Sequence, residues 1–206
     1  MSEPSPNKPR NPWWAVFFLG FAVLLFVLTN QSGREQAPVH HPPKPPFAVM
    51  LTNTFRKDGL LLHKGTTNPV SGEVVERYRD GTLKSATYFA TGLLHGVSEG
   101  YHTNGQIQVR EYFTNGVSHG PRIKWYDNGA TQSVSEIVAG EHHGTFRRWH
   151  ENGRLAQEIR MVAGKPDGLS RAWHTNGQLK AEARLDHGKV LSQKFWNPDG
   201  SEQENR

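Results

Sequence analysis

Asn-Gly pairs recur in this chain at a fixed interval of 24 residues. Four of them lie in strict register: Asn104-Gly105, Asn128-Gly129, Asn152-Gly153 and Asn176-Gly177. Asp-Gly pairs at Asp80 and Asp199 extend the series in both directions, the second after a step of 23 residues. Two further glycine series keep the 24-residue step: Gly92, Gly116, Gly140, Gly164 and Gly188, and Gly72, Gly96, Gly120, Gly144 and Gly168. A period of this length is typical of repeat proteins, which bind through extended surfaces more often than through a pocket.

Each repeat contains two short runs in which apolar and polar residues alternate, and a glycine turn bounds each run. This alternation predicts strands, and the frequent glycines argue against helices. An aromatic residue lies four positions before most turn glycines, and an apolar residue lies two positions after them, as Tyr101 and Ile107 do around Gly105. Arg77 and Thr131 each interrupt one of the two columns. Tyr101 and Ile107 face each other only if the loop has three residues. The pattern therefore predicts a type I turn followed by a left-handed glycine, a G1 bulge.

A third apolar column lies eight positions after the turn glycine: Phe89, Phe113, Ile137, Met161 and Leu185. It has the same parity as the column at plus two, so strand alternation predicts that both share one packed face with the aromatic residues. The opposite face is predicted to be polar, with Arg110, Glu158 and Glu182 among its side chains. The predicted fold is all-β, an elongated meandering antiparallel sheet of stacked hairpins over residues 47–206. Degenerate caps are expected at both ends, the first with Phe55 and Leu61 in the two columns around Asp58-Gly59.

Two groups of side chains are candidates for binding. The first is the aromatic column: Tyr101, Trp125, Trp149 and Trp173. It could stack on a glycan or an extended peptide, although such residues more often form the core of a sheet. The second group lies on the predicted polar face: His102, Lys124, Arg148, His150 and His174. Its cations, together with Arg147 and Arg171, could contact an anionic lipid or polymer, although a solvated face with cross-strand pairs is the simpler interpretation.

The sequence predicts no metal site and no cofactor. His95, His119 and His143 occupy equivalent positions two strands apart, about 9.6 Å, whereas zinc needs its nitrogen ligands within ~2.0–2.1 Å. We therefore expect turn histidines with local hydrogen bonds. The chain has no cysteine, and it contains no nucleophile-elbow, P-loop or zinc-protease motif, which predicts a non-enzymatic protein. A net charge of +5 is too small an excess to indicate a nucleic-acid partner.

The N-terminal part of the chain predicts a membrane anchor. The run from Trp13 to Leu28 holds no charge and would span roughly 24 Å as a helix, so we expect a transmembrane helix over 13–30 in contact with the bilayer. A cleaved signal peptide is the alternative, but no A-x-A-like site follows. Lys8 and Arg10 predict a cytoplasmic N-terminus over 1–12. Residues 31–46 are proline-rich and predict a stiff spacer. The expected location is a bacterial inner membrane, with the repeats in the periplasm or outside.

The repeat resembles the second variant of the MORN repeat. The resemblance rests on the aromatic residue three positions before Asn-Gly, the apolar residue after it, and a closing element that stands here as Asn115-Gly116-Val117-Ser118-His119-Gly120. Versions of that element lie at 92–96 and 140–144, whereas Pro166-Asp167-Gly168 lacks the histidine. The resemblance covers about residues 50–202. It implies a non-enzymatic, partner-binding role, and bacterial proteins with such arrays are often labelled as antitoxins.

The predicted function is a membrane-anchored, non-catalytic scaffold that binds a protein partner or an envelope polymer. One alternative is an antitoxin-like protein that neutralises a partner toxin. A third hypothesis is an enzyme that acts on envelope polymers, with His102, His150 and His174 among its acids and bases.

Overall fold

The computed structural model describes residues 48–204. The predicted transmembrane helix at 13–30, the N-terminus at 1–12 and the spacer at 31–46 lie outside the described residues. Within the described range, no helix has the length and apolar character needed to cross a membrane.

Strands make up most of the described chain, and the one short helical element among them is a 3-10 turn at Leu51–Asn53. The strands are β1 (Val49–Met50), β2 (Thr54–Lys57), β3 (Leu60–His63), β4 (Gly72–Arg77), β5 (Leu83–Ala90), β6 (Leu93–Tyr101), β7 (Ile107–Thr114), β8 (Val117–Ser118), β9 (Gly120–Trp125), β10 (Thr131–Val138), β11 (Glu141–Trp149), β12 (Leu155–Val162), β13 (Lys165–Trp173), β14 (Leu179–Asp186) and β15 (Lys189–Phe195). Thirteen strands form one sheet in the order β1-β4-β5-β6-β7-β9-β10-β11-β12-β13-β14-β15, with β8 paired to β7. From β4 onward the strands of this order pair antiparallel with their neighbours, and β7 pairs with both β8 and β9. This confirms the predicted all-β meander of hairpins, whereas β1 joins β4 in parallel.

The loops along one edge of the sheet have the predicted geometry. In the loop between β6 and β7, the Gly105 N–H donates to the His102 carbonyl at 2.9 Å, and the His102 N–H donates to the Gln106 carbonyl at 2.8 Å. Gly105 has φ 83°, and Tyr101 lies directly opposite Ile107. A three-residue loop with a type I turn and a G1 bulge is therefore confirmed. The same pair of backbone bonds closes the loops that end at Gly81, Gly129, Gly153, Gly177 and Gly200.

The loops along the other edge are shorter. They have two residues, and both have positive φ, as Asn115 at 49° and Gly116 at 84° do. That combination is a type I′ turn. Asp58 and Gly59, at φ 51° and 78°, form the same turn. Phe55 consequently lies opposite Leu62 rather than Leu61, and the predicted placement of this hairpin in the Asn-Gly series is wrong.

A second bulge follows each three-residue loop from Gly81 to Gly177, and it reverses the strand alternation. In β7, Ile107 is opposite Tyr101, but the next pair joins Val109 to Gly100, so Gln108 is an extra residue. An extra residue in one strand of an antiparallel pair shifts all later side chains to the other face. The corresponding extra residues in the other repeats are Lys84, Gln132, Ala156 and Lys180.

This bulge overturns the predicted common face. Phe113 lies opposite Gly96, which is five positions before Tyr101 on β6, so Phe113 and Tyr101 point to opposite faces. The same relation holds for the rest of the column at plus eight: Phe89, Ile137, Met161 and Leu185. We call the face that carries Tyr101, Trp125, Trp149 and Trp173 the aromatic face. The other face carries Phe113, Lys124 and Arg148. We call it the groove face, because a groove lies on it over β9, β10 and β11.

Most of the fully buried apolar residues lie at the N-terminal end of the sheet. Leu61, Val70, Val74 and Phe89 form one cluster, with exposed fractions of 0–4%. Leu61 and Val70 come from the segment before β4, which folds over the sheet. The aromatic column is half-buried along the array. Beyond the N-terminal end, the buried apolar residues of the described sheet are Val134 and Ile137 of β10, which are 9% and 0% exposed, so burial is not continuous along the array as expected.

Candidate functional site

The candidate histidines lie on the edge with three-residue loops and connect successive repeats. His102 Nε2 lies 3.0 Å from the Trp125 carbonyl oxygen, one repeat further along the chain. His150 and His174 make the equivalent bonds to the carbonyls of Trp173 and Trp196. A carbonyl only accepts, so Nε2 carries the proton in each bond. In the same column, the hydroxyls of Tyr78 and Tyr126 donate to the next repeat at 2.7 Å.

The turn asparagines make a second set of bonds along this edge. Asn104 Nδ2 donates to the Asp127 carbonyl at 2.7 Å, and Asn152 Nδ2 donates to the Thr175 carbonyl at 2.9 Å. On the opposite edge, each turn glycine donates its N–H to the repeat before it, as Gly116 does to the Leu94 carbonyl at 2.7 Å. Both edges of the sheet therefore use their polar groups to hold the repeats in register.

The aromatic face combines the aromatic column with rows of ion pairs. Arg110 Nε lies 2.7 Å from Glu99 Oε1, and the Arg110 guanidinium lies 5.9 Å from the centre of the Trp125 ring. Arg147 pairs with Glu158 and Arg171 pairs with Glu182 in the same way. Arg110, Glu158 and Glu182 were expected on the polar face opposite the aromatic column, and the extra bulge residue places them beside it.

Tyr101 is the member of the aromatic column with a buried polar contact. Its hydroxyl donates to Glu99 Oε2 at 2.5 Å. Burial, together with this carboxylate, raises the pKa of the Tyr101 hydroxyl well above its ordinary value. Tyr101 is therefore neutral at physiological pH and belongs to the Glu99–Arg110 network. Trp125, Trp149 and Trp173 provide the half-buried apolar surface of this face.

Lys124 and Arg148, the two cationic candidates, flank a groove on the other face. Both lie directly opposite Ser133, one on β9 and one on β11. Ser133 and Ser135 form the floor of the groove and are 8% and 3% exposed. The space between these side chains is about 250 Å³ and open to solvent. The structure thus brings together two of the five predicted polar-face residues, and the three histidines are not part of the groove lining.

The groove exists because β10 has small residues where its neighbours have large ones. Ser133 and Ser135 occupy the rows that hold Val109 and Glu111 in β7 and Gln157 and Ile159 in β12. Long side chains on β9 and β11 form its walls. The position of Ser133 varies among the repeats, where Ser85, Val109, Gln157 and Ala181 are its equivalents. The sequence therefore carried no signal for the groove, and without the bulge the facing residues could not be assigned.

The groove carries an excess of positive charge. Arg122 lines it and pairs with Glu111, with 2.7 Å between Nε and Oε1. Within residues 48–204, neither Lys124 nor Arg148 lies within ion-pair distance of a carboxylate. Because the one nearby ion pair is neutral as a unit, the groove has a net charge of about +2 at neutral pH.

His142 and Phe146 form the wall of the groove on β11. Their rings contact edge to face, with 5.9 Å between centroids. His142 Nδ1 is buried and has no hydrogen-bond partner among the described residues. Burial, and then the charges of Arg122 and Lys124, lower the pKa of His142. His142 was not among the predicted site residues, because its sequence position suggested only a turn.

The turn histidines are exposed or half-buried, and local hydrogen bonds are not what the structure shows for them. His95 Nδ1 has no hydrogen-bond partner among the described residues, and the bond of His119 is to the following repeat. His119 Nδ1 accepts from the Ala139 N–H at 3.4 Å. Among residues 48–204, one group could bring three metal-ligand atoms together: Asp167, Asp186 and His187, within 4.8 Å of one another. His187 donates its backbone N–H to Asp167 and contacts Asp186 through Nδ1, so hydrogen bonds within the group account for the arrangement.

Three segments of the chain match the family model of the MORN repeat variant: residues 94–116, 143–162 and 166–187. Each segment includes a hairpin strand and an adjoining glycine turn of the array. The resemblance to this repeat is confirmed for these three units. MORN repeats are generally protein- or membrane-binding modules. No curated protein matches the chain with significant similarity, and the likeness to antitoxins stays a prediction.

Proposed function

We infer that this protein is a non-catalytic scaffold whose repeat sheet binds a protein partner or an envelope polymer outside the cytoplasm. In this proposal, the segment at 13–30 anchors the chain in a bacterial inner membrane, and residues 31–46 hold the sheet away from the bilayer. The membrane part of the proposal rests on the uncharged run and its flanking charges.

The observation that carries the scaffold role is that hydrogen bonds along both edges of the sheet connect each repeat to its neighbours. The bonds from His102, His150 and His174 to the next repeat, with those of the turn asparagines and glycines, hold successive hairpins in fixed register. Repeats that are held in this way present side chains at a constant spacing, which suits an extended partner. The Nε2 atoms of these histidines are already bonded, which counts against their use as acids and bases.

Site-specific photo-crosslinking in cells tests the scaffold role and identifies the binding face. A photoreactive amino acid replaces Trp149 on the aromatic face or Arg148 on the groove face of the full-length chain. We expect one of the two positions to form a discrete crosslinked product, because a bound partner covers one face.

The control is the same photoreactive residue at Glu151, which is exposed in a three-residue loop. A discrete product from either face and none from Glu151 supports the scaffold. If neither face crosslinks beyond the level of the Glu151 control, the scaffold proposal is wrong.

A fusion reporter tests the location separately. Alkaline phosphatase fused after the last residue is active only outside the cytoplasm, so we expect an active fusion. An inactive phosphatase fusion together with a fluorescent cytoplasmic reporter would reject the location and leave the scaffold role to the crosslinking result.

A further inference from the structure

We propose that the groove over β9, β10 and β11 is a binding site for a phosphate monoester, held between Lys124 and Arg148 above Ser133 and Ser135. The inference stands apart from the scaffold role, because a small phosphate compound can occupy the groove without any macromolecular partner.

The charge of the groove selects a dianion. Lys124 and Arg148 contribute two positive charges that no carboxylate among the described residues balances, whereas Arg122 is matched by Glu111. A phosphate monoester carries close to two negative charges at neutral pH. A single carboxylate would compensate only one of the two cations, so it should bind more weakly at the same site.

The groove also places hydrogen-bond donors for phosphate oxygens around a position above Ser133. Lys124 and Arg148 lie on either side of Ser133, two strands apart, or about 9.6 Å between backbones. Side chains of their length can converge on one group above the β10 floor. A guanidinium and an ammonium bind phosphate oxygens by charge-assisted hydrogen bonds, and the serine hydroxyls below can donate to further oxygens.

On the groove face, the cations of this row are confined to the middle of the sheet. In the row that contains Lys124 and Arg148, the strands further out hold Gly100 and Val109 on one side and Gln157 and Ala172 on the other. A long polyanion would need charges along the whole face. The distribution therefore favours one compact anionic group.

The remaining wall of the groove suits the organic part of an ester. Phe146 offers an apolar ring, and His142 offers a buried Nδ1 that has no partner among the described residues. A volume of about 250 Å³ leaves room beside the phosphate for this organic part. The phosphate could belong to a soluble phosphoester or to a lipid headgroup, and the chemistry of recognition is the same for both.

Phosphate binding can be measured on the full-length chain in non-ionic detergent. Inorganic phosphate is titrated while amide resonances are followed by NMR, with acetate as the monoanion control. We expect saturable shifts confined to β9–β11, and weaker binding of acetate. The double variant Lys124→Gln/Arg148→Gln should bind phosphate at least about tenfold more weakly.

The matched control is Arg160→Gln/Lys180→Gln, which removes the same net charge from exposed positions outside the groove. It should bind phosphate as the wild type does. Equal loss in both double variants, shifts spread away from β9–β11, or no saturable binding to the wild type would overturn the proposal. The wild-type shift map decides the question even if the groove variant does not fold.

Two further arms distinguish the source of the phosphate. Binding is repeated with glycerol phosphate and with mixed micelles that contain phosphatidate. Preference for the soluble ester assigns the groove to a soluble ligand, and preference for the micelles that inorganic phosphate competes away assigns it to a headgroup. Micelle binding that is unchanged in the Lys124→Gln/Arg148→Gln variant would contradict a headgroup in this groove.

Discussion

The two ends of the sheet are built from the same repeat but differ in burial. At the N-terminal end, Leu61 and Val70 pack over Val74 and Phe89, and the Leu61 N–H donates to the Gly92 carbonyl at 2.8 Å. At the C-terminal end, every residue of β15 is exposed, with Leu191 at 61%. Among the described residues, Glu202 and Gln203 lie at the outer edge of β15: Glu202 pairs with Lys194, and the Gln203 N–H donates to the Phe195 carbonyl at 2.8 Å.

The difference shows that repetition alone does not bury a core. A single sheet has two solvent-facing sides, and most of its fully buried side chains lie where another segment covers them. Ile137 of β10, at 0% exposed, is an exception in the middle of the sheet. The segment from β2 to β4 provides that cover at one end. The stability of the array should therefore be concentrated near β4–β6 and decrease toward β15.

The largest effect on stability should come from the apolar column that lies eight positions after each turn glycine. Phe89→Ala empties a position that is 4% exposed, and we expect a loss of about 3–5 kcal/mol in the free energy of unfolding. The equivalent Leu185→Ala lies at the half-buried C-terminal end and should cost about 1–2 kcal/mol. Denaturant unfolding of both variants measures the difference, and equal losses would refute the gradient.

The contribution of the aromatic-face ion pairs to stability should also decrease from the N-terminal to the C-terminal end of the sheet. The side chains of Arg110 and Glu99 are 14% and 10% exposed, whereas those of Arg171 and Glu182 are 43% and 35% exposed. Glu99→Gln leaves Arg110 buried and unpaired, and we expect a loss of about 3 kcal/mol.

The matched variant Glu182→Gln should cost less than about 1 kcal/mol. Thermal or denaturant unfolding of the two variants decides between this expectation and a uniform array. A larger loss for Glu182→Gln than for Glu99→Gln would show that exposure does not control these pairs.

Substitution of two turn glycines by alanine can distinguish the cost of backbone strain from the cost of a steric clash. Gly92 and Gly188 have φ of 81° and 90°, so alanine is strained at both. A Cβ at Gly92 would lie 2.9 Å from the Leu61 carbonyl oxygen, whereas no described atom lies within 4 Å of a Cβ at Gly188.

Gly188→Ala should therefore lose about 1–2 kcal/mol, and Gly92→Ala should lose more than about 2 kcal/mol, because the covering segment must also move. Unfolding midpoints of the two variants provide the comparison. Similar midpoints would mean that Leu61 moves away from a side chain at Gly92 without a further loss of stability.

The smallest effect is a pH dependence of opposite sign at two histidines. Burial, with the charges of Arg122 and Lys124, lowers the pKa of His142, so its contribution to stability is present above the ordinary value of 6.5 and is lost as pH falls. The hydrogen bond to Asp186 raises the pKa of exposed His187, so its contribution is present below 6.5 and is lost as pH rises.

The variants His142→Asn and His187→Asn isolate the two contributions. Between about pH 5 and pH 8, the stability difference from wild type should shrink toward acid for the first variant and toward alkali for the second. Unfolding midpoints across this range measure both. Slopes of the same sign would contradict the assignment of His142 to a buried, cationic environment.

The bonded column of histidines and tyrosines was visible in the sequence but was interpreted as a polar face. In five successive repeats, the position three residues before the turn glycine holds a ring with a donor: Tyr78, His102, Tyr126, His150 and His174. Their acceptors are backbone carbonyls of the following repeat, and carbonyls carry no sequence signal. The column is a recognisable donor series in the sequence, but its acceptors are set by the tertiary structure.

By itself, the sequence determined the repeat, its all-β meander and the three-residue loop, because the spacing of Tyr101 and Ile107 around Gly105 allows only one register. Tertiary structure decided which residues share a face. The extra residue that reverses each strand is Lys84, Gln108, Gln132, Ala156 or Lys180, a set with no common side-chain type. A bulge is stabilised by pairing with the neighbouring strand rather than by its own side chain. The groove between Lys124 and Arg148 was therefore visible only once the strands were paired.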